Sequence, residues 1–255
     1  MSRDTQHVLL VLVGGVLVKI VLDGSYLRYV RPWSAVPVLV AGVVLVTVAV
    51  VGIVRDLRGR AVTDGHGHGH GHDHRHGHGS RAGPSAWMLV LPVLALLLVV
   101  PPALGSAAVA GIGARAAPVA TVADDPLPAG DAPALGLLDV VSRAAADPYG
   151  QVTTRDVTVT GFLVPARAPA GGAALDLARL VITCCAADAS TVRVHLADPQ
   201  GLLRDTGPGG PEGDHWVAVR GRVVPGTGTA SDGHVPTLSV TSSSPVATPE
   251  PVYEY

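Results

Sequence analysis

The sequence predicts an α+β membrane protein: three transmembrane helices followed by a small, mostly β extracytoplasmic domain, with an OB-like five-stranded barrel as its expected form. Three observations carry this expectation. Apolar runs of membrane-spanning length crowd into residues 1–105, short Val- and Thr-rich runs alternate beyond residue 155, and arginines concentrate in one interhelical loop. Hydrophobic residues make up 48% of the 255-residue chain and charged residues only 15%. Its mean hydropathy is +0.40, which points to a lipid-facing portion rather than a wholly soluble chain.

The first helix is expected over about Val8–Leu27, with Lys19 and Asp23 toward its far end, where a lysine can snorkel to the interface. No small-x-small cleavage pattern directly follows the apolar part, so it reads as a retained helix rather than a removed signal. The run Trp33–Val54 holds 22 residues without a charge. At about 1.5 Å per residue it is long enough for a hydrocarbon core of about 30 Å. A third run, Ala86–Leu104, has 19 uncharged residues and carries Pro92 and the pair Pro101-Pro102. Membrane helices tolerate such prolines when neighbours supply hydrogen-bond partners.

Between the second and third runs lies a histidine-rich loop, residues 61–83. Seven histidines, His66, His68, His70, His72, His74, His76 and His78, occupy every second position. Imidazole is a common ligand for zinc, copper and nickel, and intervening glycines leave the backbone free to fold round an ion. The same pattern is also ordinary low-complexity sequence, too polar to pack a core. Orientation follows from Arg55, Arg58, Arg60, Arg75 and Arg81, which all lie between the second and third apolar runs, since basic residues stay cytoplasmic. With three spans, the N-terminus and the histidine loop then lie inside a bacterial plasma membrane and the C-terminal part outside.

Residues 106–134 are Ala-, Pro-, Gly- and Asp-rich and read as a linker, followed by a domain over 135–255. Leu135, Leu138, Val141 and Ala145 recur at helical spacing, and Asp147-Pro148 ends the pattern. Five strands are expected at Asp156–Val164, Ala178–Cys185, Thr191–Ala197, His215–Val224 and Thr237–Thr241. Gly161 and Gly221 interrupt two of them, marking a bulge or sharp bend. From Gly105 onward 15 acidic residues face 9 arginines, so no basic patch exists there to hold nucleic acid.

The stretches YVRPW (29–33), PPALGS (101–106), DPYGQ with VTVTGF (147–162), ITCCAADA (182–189), HWVAVRGRV (215–223) and PVYEY (251–255) together resemble the YcgQ-type family of bacterial membrane proteins. The likeness covers most of the chain, and CCAADA is its most specific part. It implies an accessory subunit beside a multi-spanning permease, with some members in zinc-responsive gene sets, and it establishes no enzymatic activity or substrate.

Cys184 and Cys185 are the chain's only cysteines. On a strand their side chains would face opposite ways, but at a turn both sulfurs can face one way, with Asp188 close by. Three readings stand. The thiols with Asp188, and His195 or His215, can form a soft metal site for zinc or another transition metal. They can form a vicinal disulfide or redox pair in an oxidising compartment. Or they can simply pack, as small buried residues do.

No G-x-S-x-G, P-loop, H-E-x-x-H or dinucleotide fingerprint is present, and no enzyme is expected. Three helices with one lysine and one aspartate also lack the polar groups of an ion pathway. The functional expectation is therefore an accessory subunit of a permease in the same lipid bilayer, linked to transport or homeostasis of a metal ion such as zinc. The alternative is an extracytoplasmic redox or sensing module anchored by its helices.

Overall fold

Apolar β-branched residues fill the helix α1, Arg3–Leu22, and its successor α2, Ala35–Thr63. In the computed structural model, which describes residues 3–63, 91, 94–95, 103–112, 125–145, 150–167, 173–198, 200–203, 214–229 and 233–255, both are long and apolar enough to cross a membrane. The chain divides into two units, one of residues 1–26 and 32–102, the other of residues 27–31 and 103–255.

In the first unit the two helices pack on each other where Gly14 and Gly42 meet. A Cβ on Gly14 would stand 2.8 Å from the Gly42 carbonyl oxygen, so only glycine permits this backbone approach. α1 stops five residues short of the expected end at Leu27. Gly24 takes φ 75°, Asp23 N–H donates to the Lys19 carbonyl at 3.0 Å, and Asp23 Oδ1 accepts the Ser25 N–H, closing the helix by a left-handed turn. Lys19 and Asp23 satisfy each other at 2.7 Å. Val36, Val40, Val44, Val48 and Val51 of α2 are exposed, an apolar face suited to lipid. Of the expected third span, Ala86–Leu104, the described residues include only 91, 94–95 and 103–104.

The second unit contains α3 (Ser106–Ile112), β1 (Ala134–Leu135), α4 (Leu137–Ala145), α5 (Gln151–Thr154), β2 (Val157–Arg167), β3 (Ala173–Val181), β4 (Ser190–Ala197), β5 (Trp216–Val223) and β6 (Thr237–Pro245). The sheet order is β1-β2-β3-β4-β6-β5, with β2 also paired to β5. The five long strands therefore form a closed circuit of pairings, antiparallel except for β4 with β6. Alternation explains the two cores. Val157, Val159, Leu163, Leu177, Val194, Val217, Val219 and Leu238 pack together with Leu137, Val140 and Val141 of α4. On the opposite face Phe162, Ala178, Leu180, Ile182 and Trp216 cluster with Val109 of α3 and Tyr253.

Both interior glycines do what their positions demand. A Cβ on Gly161 would stand 2.6 Å from the Ala178 carbonyl oxygen, and the β5–β6 register shifts at Arg220/Gly221, a bulge. β2 runs on through Pro165 to Arg167, past the expected end at Val164. Beyond Phe162 it pairs, among the described residues, only with β3, leaving a side where a proline's missing N–H interrupts no described ladder.

The described parts of the expected linker, residues 106–112 and 125–134, make specific contacts with the sheet unit. Ser106–Ile112 is helical, with Ser106 N–H on Asp214 Oδ1 at 2.8 Å and Val109 buried. Arg143 Nη1 holds the Asp125 carbonyl at 2.7 Å, and Leu127 N–H donates to Gln151 Oε1 at 2.7 Å. Residues 251–255 join the sheet beside β3, with Glu254 N–H on the Leu180 carbonyl and Ile182 N–H on the Glu254 carbonyl. The Glu254 carboxylate then accepts the Leu137 and Leu138 amides at 2.7 Å each, satisfying two otherwise orphaned donors at the start of α4.

Candidate functional site

β3 ends at Val181, four residues before the expected limit at Cys185, because the chain turns where Asp188 can reach back. Asp188 lies in a short 3₁₀ turn, Ala186–Asp188. Its carboxylate accepts the Thr183 amide at 2.8 Å, the Cys184 amide at 2.8 Å and the Cys185 amide at 3.3 Å. That turn breaks the strand's alternation and brings the two sulfurs to one side, 3.8 Å apart.

The Cys184 thiol donates to Asp188 Oδ2 at 2.7 Å. This bond and the adjoining carboxylate charge push Cys184 up to about 11, while the thiol and the three amides hold Asp188 down to about 2. Cys184 is exposed and Cys185 half-buried, both free thiols. The two sulfurs are unbonded at 3.8 Å, and only Cys185 is partly packed against its surroundings. Among the described residues, these two thiols and Asp188 form the one group of potential metal ligands, their ligand atoms within 4.8 Å of one another.

The backbone around the thiols is gripped by residues far away in sequence. Val30 bridges Cys185, Arg31 N–H donates to the Cys184 carbonyl at 3.3 Å, and Ala186 N–H donates to the Tyr29 carbonyl at 2.7 Å. Arg31 Nη1 also holds the Thr183 carbonyl at 3.2 Å, and its guanidinium lies over the Tyr255 ring, 5.2 Å from the centroid. Tyr253 Oη donates to the Arg28 carbonyl at 3.0 Å and accepts the Leu104 amide. The YVRPW stretch stood out in the sequence only as part of a resemblance. Nothing in its composition announced these contacts.

His195 does not join the cysteines. Its Nδ1 lies 2.6 Å from Oδ1 of Asp176, a residue only 3% exposed, on neighbouring strands in register. Burial pushes the Asp176 carboxyl up, opposed by the His195 hydrogen bond. His215 is exposed and also stands outside the cluster. His66, His68, His70, His72, His74, His76 and His78 lie outside the described residues.

A groove of about 550 Å³ runs between α4, β2 and residues 251–255, lined by Ser142, Thr158, Thr160, Arg179 and Glu254 among others. Its main charged groups have internal work. Arg179 Nη2 holds the Pro251 carbonyl at 2.8 Å and its guanidinium lies over the Trp216 ring, and Glu254 caps α4.

Residues 6–114 match the DUF1980 N-terminal domain and residues 144–255 match the DUF1980 C-terminal domain. No curated protein and no solved structure matches the chain significantly.

Proposed function

Because the chain belongs to the family with the two-domain DUF1980 architecture, we propose that it is a plasma-membrane accessory subunit of the YcgQ type, assisting a multi-spanning permease in transport or homeostasis of a metal ion such as zinc. The observation that carries this reading is the exposed Cys184–Cys185–Asp188 constellation on a folded domain tethered to two apolar helices. The seven-histidine tract supplies a second, looser set of ligands, which buffers ions on the other face of the membrane.

Chain connectivity supports the expected topology. The segment Leu27–Arg31, which joins α1 to α2, is part of the same unit as residues 103–255. A chain that leaves that face through α2 returns to it by one further crossing, and the run Ala86–Leu104 is the apolar stretch available. Three spans then put the N-terminus and histidine tract on one side and the domain on the other, and the arginines make the first side cytoplasmic. The closed circuit of five strand pairings supports an OB-like barrel. Among the described residues near α1 and α2, Lys19 pairs with Asp23 and His7 lies 3.8 Å from Asp56, and the reading therefore assigns the pore to a partner.

The redox alternative and the metal reading both need the Cys184 thiolate, which the hydrogen bond to Asp188 disfavours in either case; thiol trapping in living cells separates the two.

The test is cross-linking in intact cells followed by purification through a tag after Tyr255. Recovery of a polytopic permease, together with altered cellular zinc when the chain is deleted, supports the reading. A reporter fused after Tyr255 that proves cytosolic, or unchanged metal content with no permease recovered, overturns it.

A further inference from the structure

We propose that Cys184, Cys185 and Asp188 are a three-ligand docking site for a tetrahedral, thiophilic divalent ion of the zinc class, with its fourth position open and its shape held by Leu27–Arg31. This deepens the reading above by naming the groups that meet the ion, and it requires neither the permease nor the membrane orientation.

The sulfur separation selects the coordination. Two thiolates at about 2.3 Å from a tetrahedral centre stand about 3.8 Å apart, whereas linear two-coordination at the same bond length needs about 4.6 Å. The observed Sγ–Sγ distance is 3.8 Å. In the same geometry a sulfur and a carboxylate oxygen stand about 3.6 Å apart, given a metal–oxygen bond of about 2.1 Å. Asp188 Oδ2 now sits 2.7 Å from the Cys184 sulfur because a thiol proton lies between them. The ion takes that proton's place. The metal–sulfur and metal–oxygen bonds form, the S–H bonds break, their protons pass to solvent, and nothing is oxidised or reduced.

One anchor of the carboxylate survives this: Oδ1 keeps the Thr183 amide at 2.8 Å, an outer contact of the kind that orients a ligand, while Oδ2 loosens its contacts with the Cys184 and Cys185 amides, at 2.8 and 3.3 Å, to turn to the ion. The grip of Tyr29, Val30 and Arg31 on both sides of the turn fixes the backbone beforehand, which lowers the ordering cost of binding. An open fourth place sets the site apart from closed structural zinc sites, and the exposure of Cys184 gives an ion access.

The experiment uses the full chain in detergent under reducing conditions, with His66→Asn and the same change at the six other tract histidines, titrated with Co²⁺. One ion per chain is expected, with a thiolate-to-cobalt charge-transfer band and the intense visible bands of tetrahedral cobalt, both removed by Zn²⁺. C184S and C185S should each lose the charge-transfer contribution of one sulfur and bind at least about tenfold more weakly. Affinity should fall about tenfold per pH unit on acidification for each proton displaced. If the serine variants fail to fold, the parent chain still decides. A folded, reduced chain without a charge-transfer band overturns the proposal, as does recovery of the pair from cells as a Cys184–Cys185 disulfide. A band without any change in cellular metal on deletion sinks the permease reading and leaves the site standing. A metal phenotype without a band does the reverse.

Discussion

Replacing Glu254 by alanine should loosen α4 selectively, because that one carboxylate occupies the start of the helix. Its two oxygens take the Leu137 and Leu138 amides at 2.7 Å each, in a side chain 12% exposed and 3.8 Å from Arg179. Hydrogen bonds to a charged group contribute about 1.5–3 kcal/mol each when buried, and N-cap losses cost about 0.5–2 kcal/mol. The two bonds act on one helix end and are not independent, so the expected loss is about 2–3 kcal/mol. For a unit of this size that corresponds to a fall of roughly 5–10 °C in Tm. E254Q, which keeps one acceptor, should lose about half as much. Hydrogen exchange read by mass spectrometry should quicken at residues 137–141 before the rest of the sheet. Melting within about 1 °C of the parent, with unchanged exchange in α4, would refute the capping argument.

Phe162→Ala removes a residue 1% exposed and its edge-on contact with Trp216, at 5.2 Å between centroids. A loss of about 3–5 kcal/mol is expected by chemical denaturation, and F162L should lose much less. Asp188→Asn removes the charge and acceptor that raise the Cys184 thiol, so iodoacetamide should alkylate Cys184 faster near neutral pH, read by peptide mass spectrometry; an unchanged rate would contradict the assigned cause. The lowered Asp188 also sets a pH window. Its contribution to stability is complete above the unfolded carboxylate range near 4 and is lost as pH falls toward about 2. Melts from pH 5 to 2 should therefore be less steep for D188N than for the parent. Gly14→Leu should separate α1 from α2 through its clash with the Gly42 carbonyl, seen as lost disulfide trapping between cysteines placed along the two helices.

What the amino-acid order disclosed was mostly local. The five strands carry period-two alternation and were located within a few residues, except where Pro165 concealed the end of β2 and Asp176 broke the apolar pattern at the start of β3. The thiol turn was legible because Cys184, Cys185 and Asp188 fall within five consecutive residues. The grip of residues 29–31 on that turn was not, since backbone N–H and C=O groups have the same chemistry at every position. Glu254 gave no warning either: an acidic residue among prolines and tyrosines says nothing of the helix whose amides it meets. α3 was hidden by an Ala- and Gly-rich composition that suits a tether equally well.

The hydrogen bond from Tyr253 to Arg28 spans 225 positions of the chain, which makes the second unit discontinuous in sequence. Residues 103–255 cannot be excised as a self-sufficient module without losing the piece laid down between the first two helices. During synthesis that early piece must wait, already made, until the tyrosine arrives. Hybrids that join the helical half of one relative to the sheet of another should therefore assemble only when both parts of this seam are inherited together.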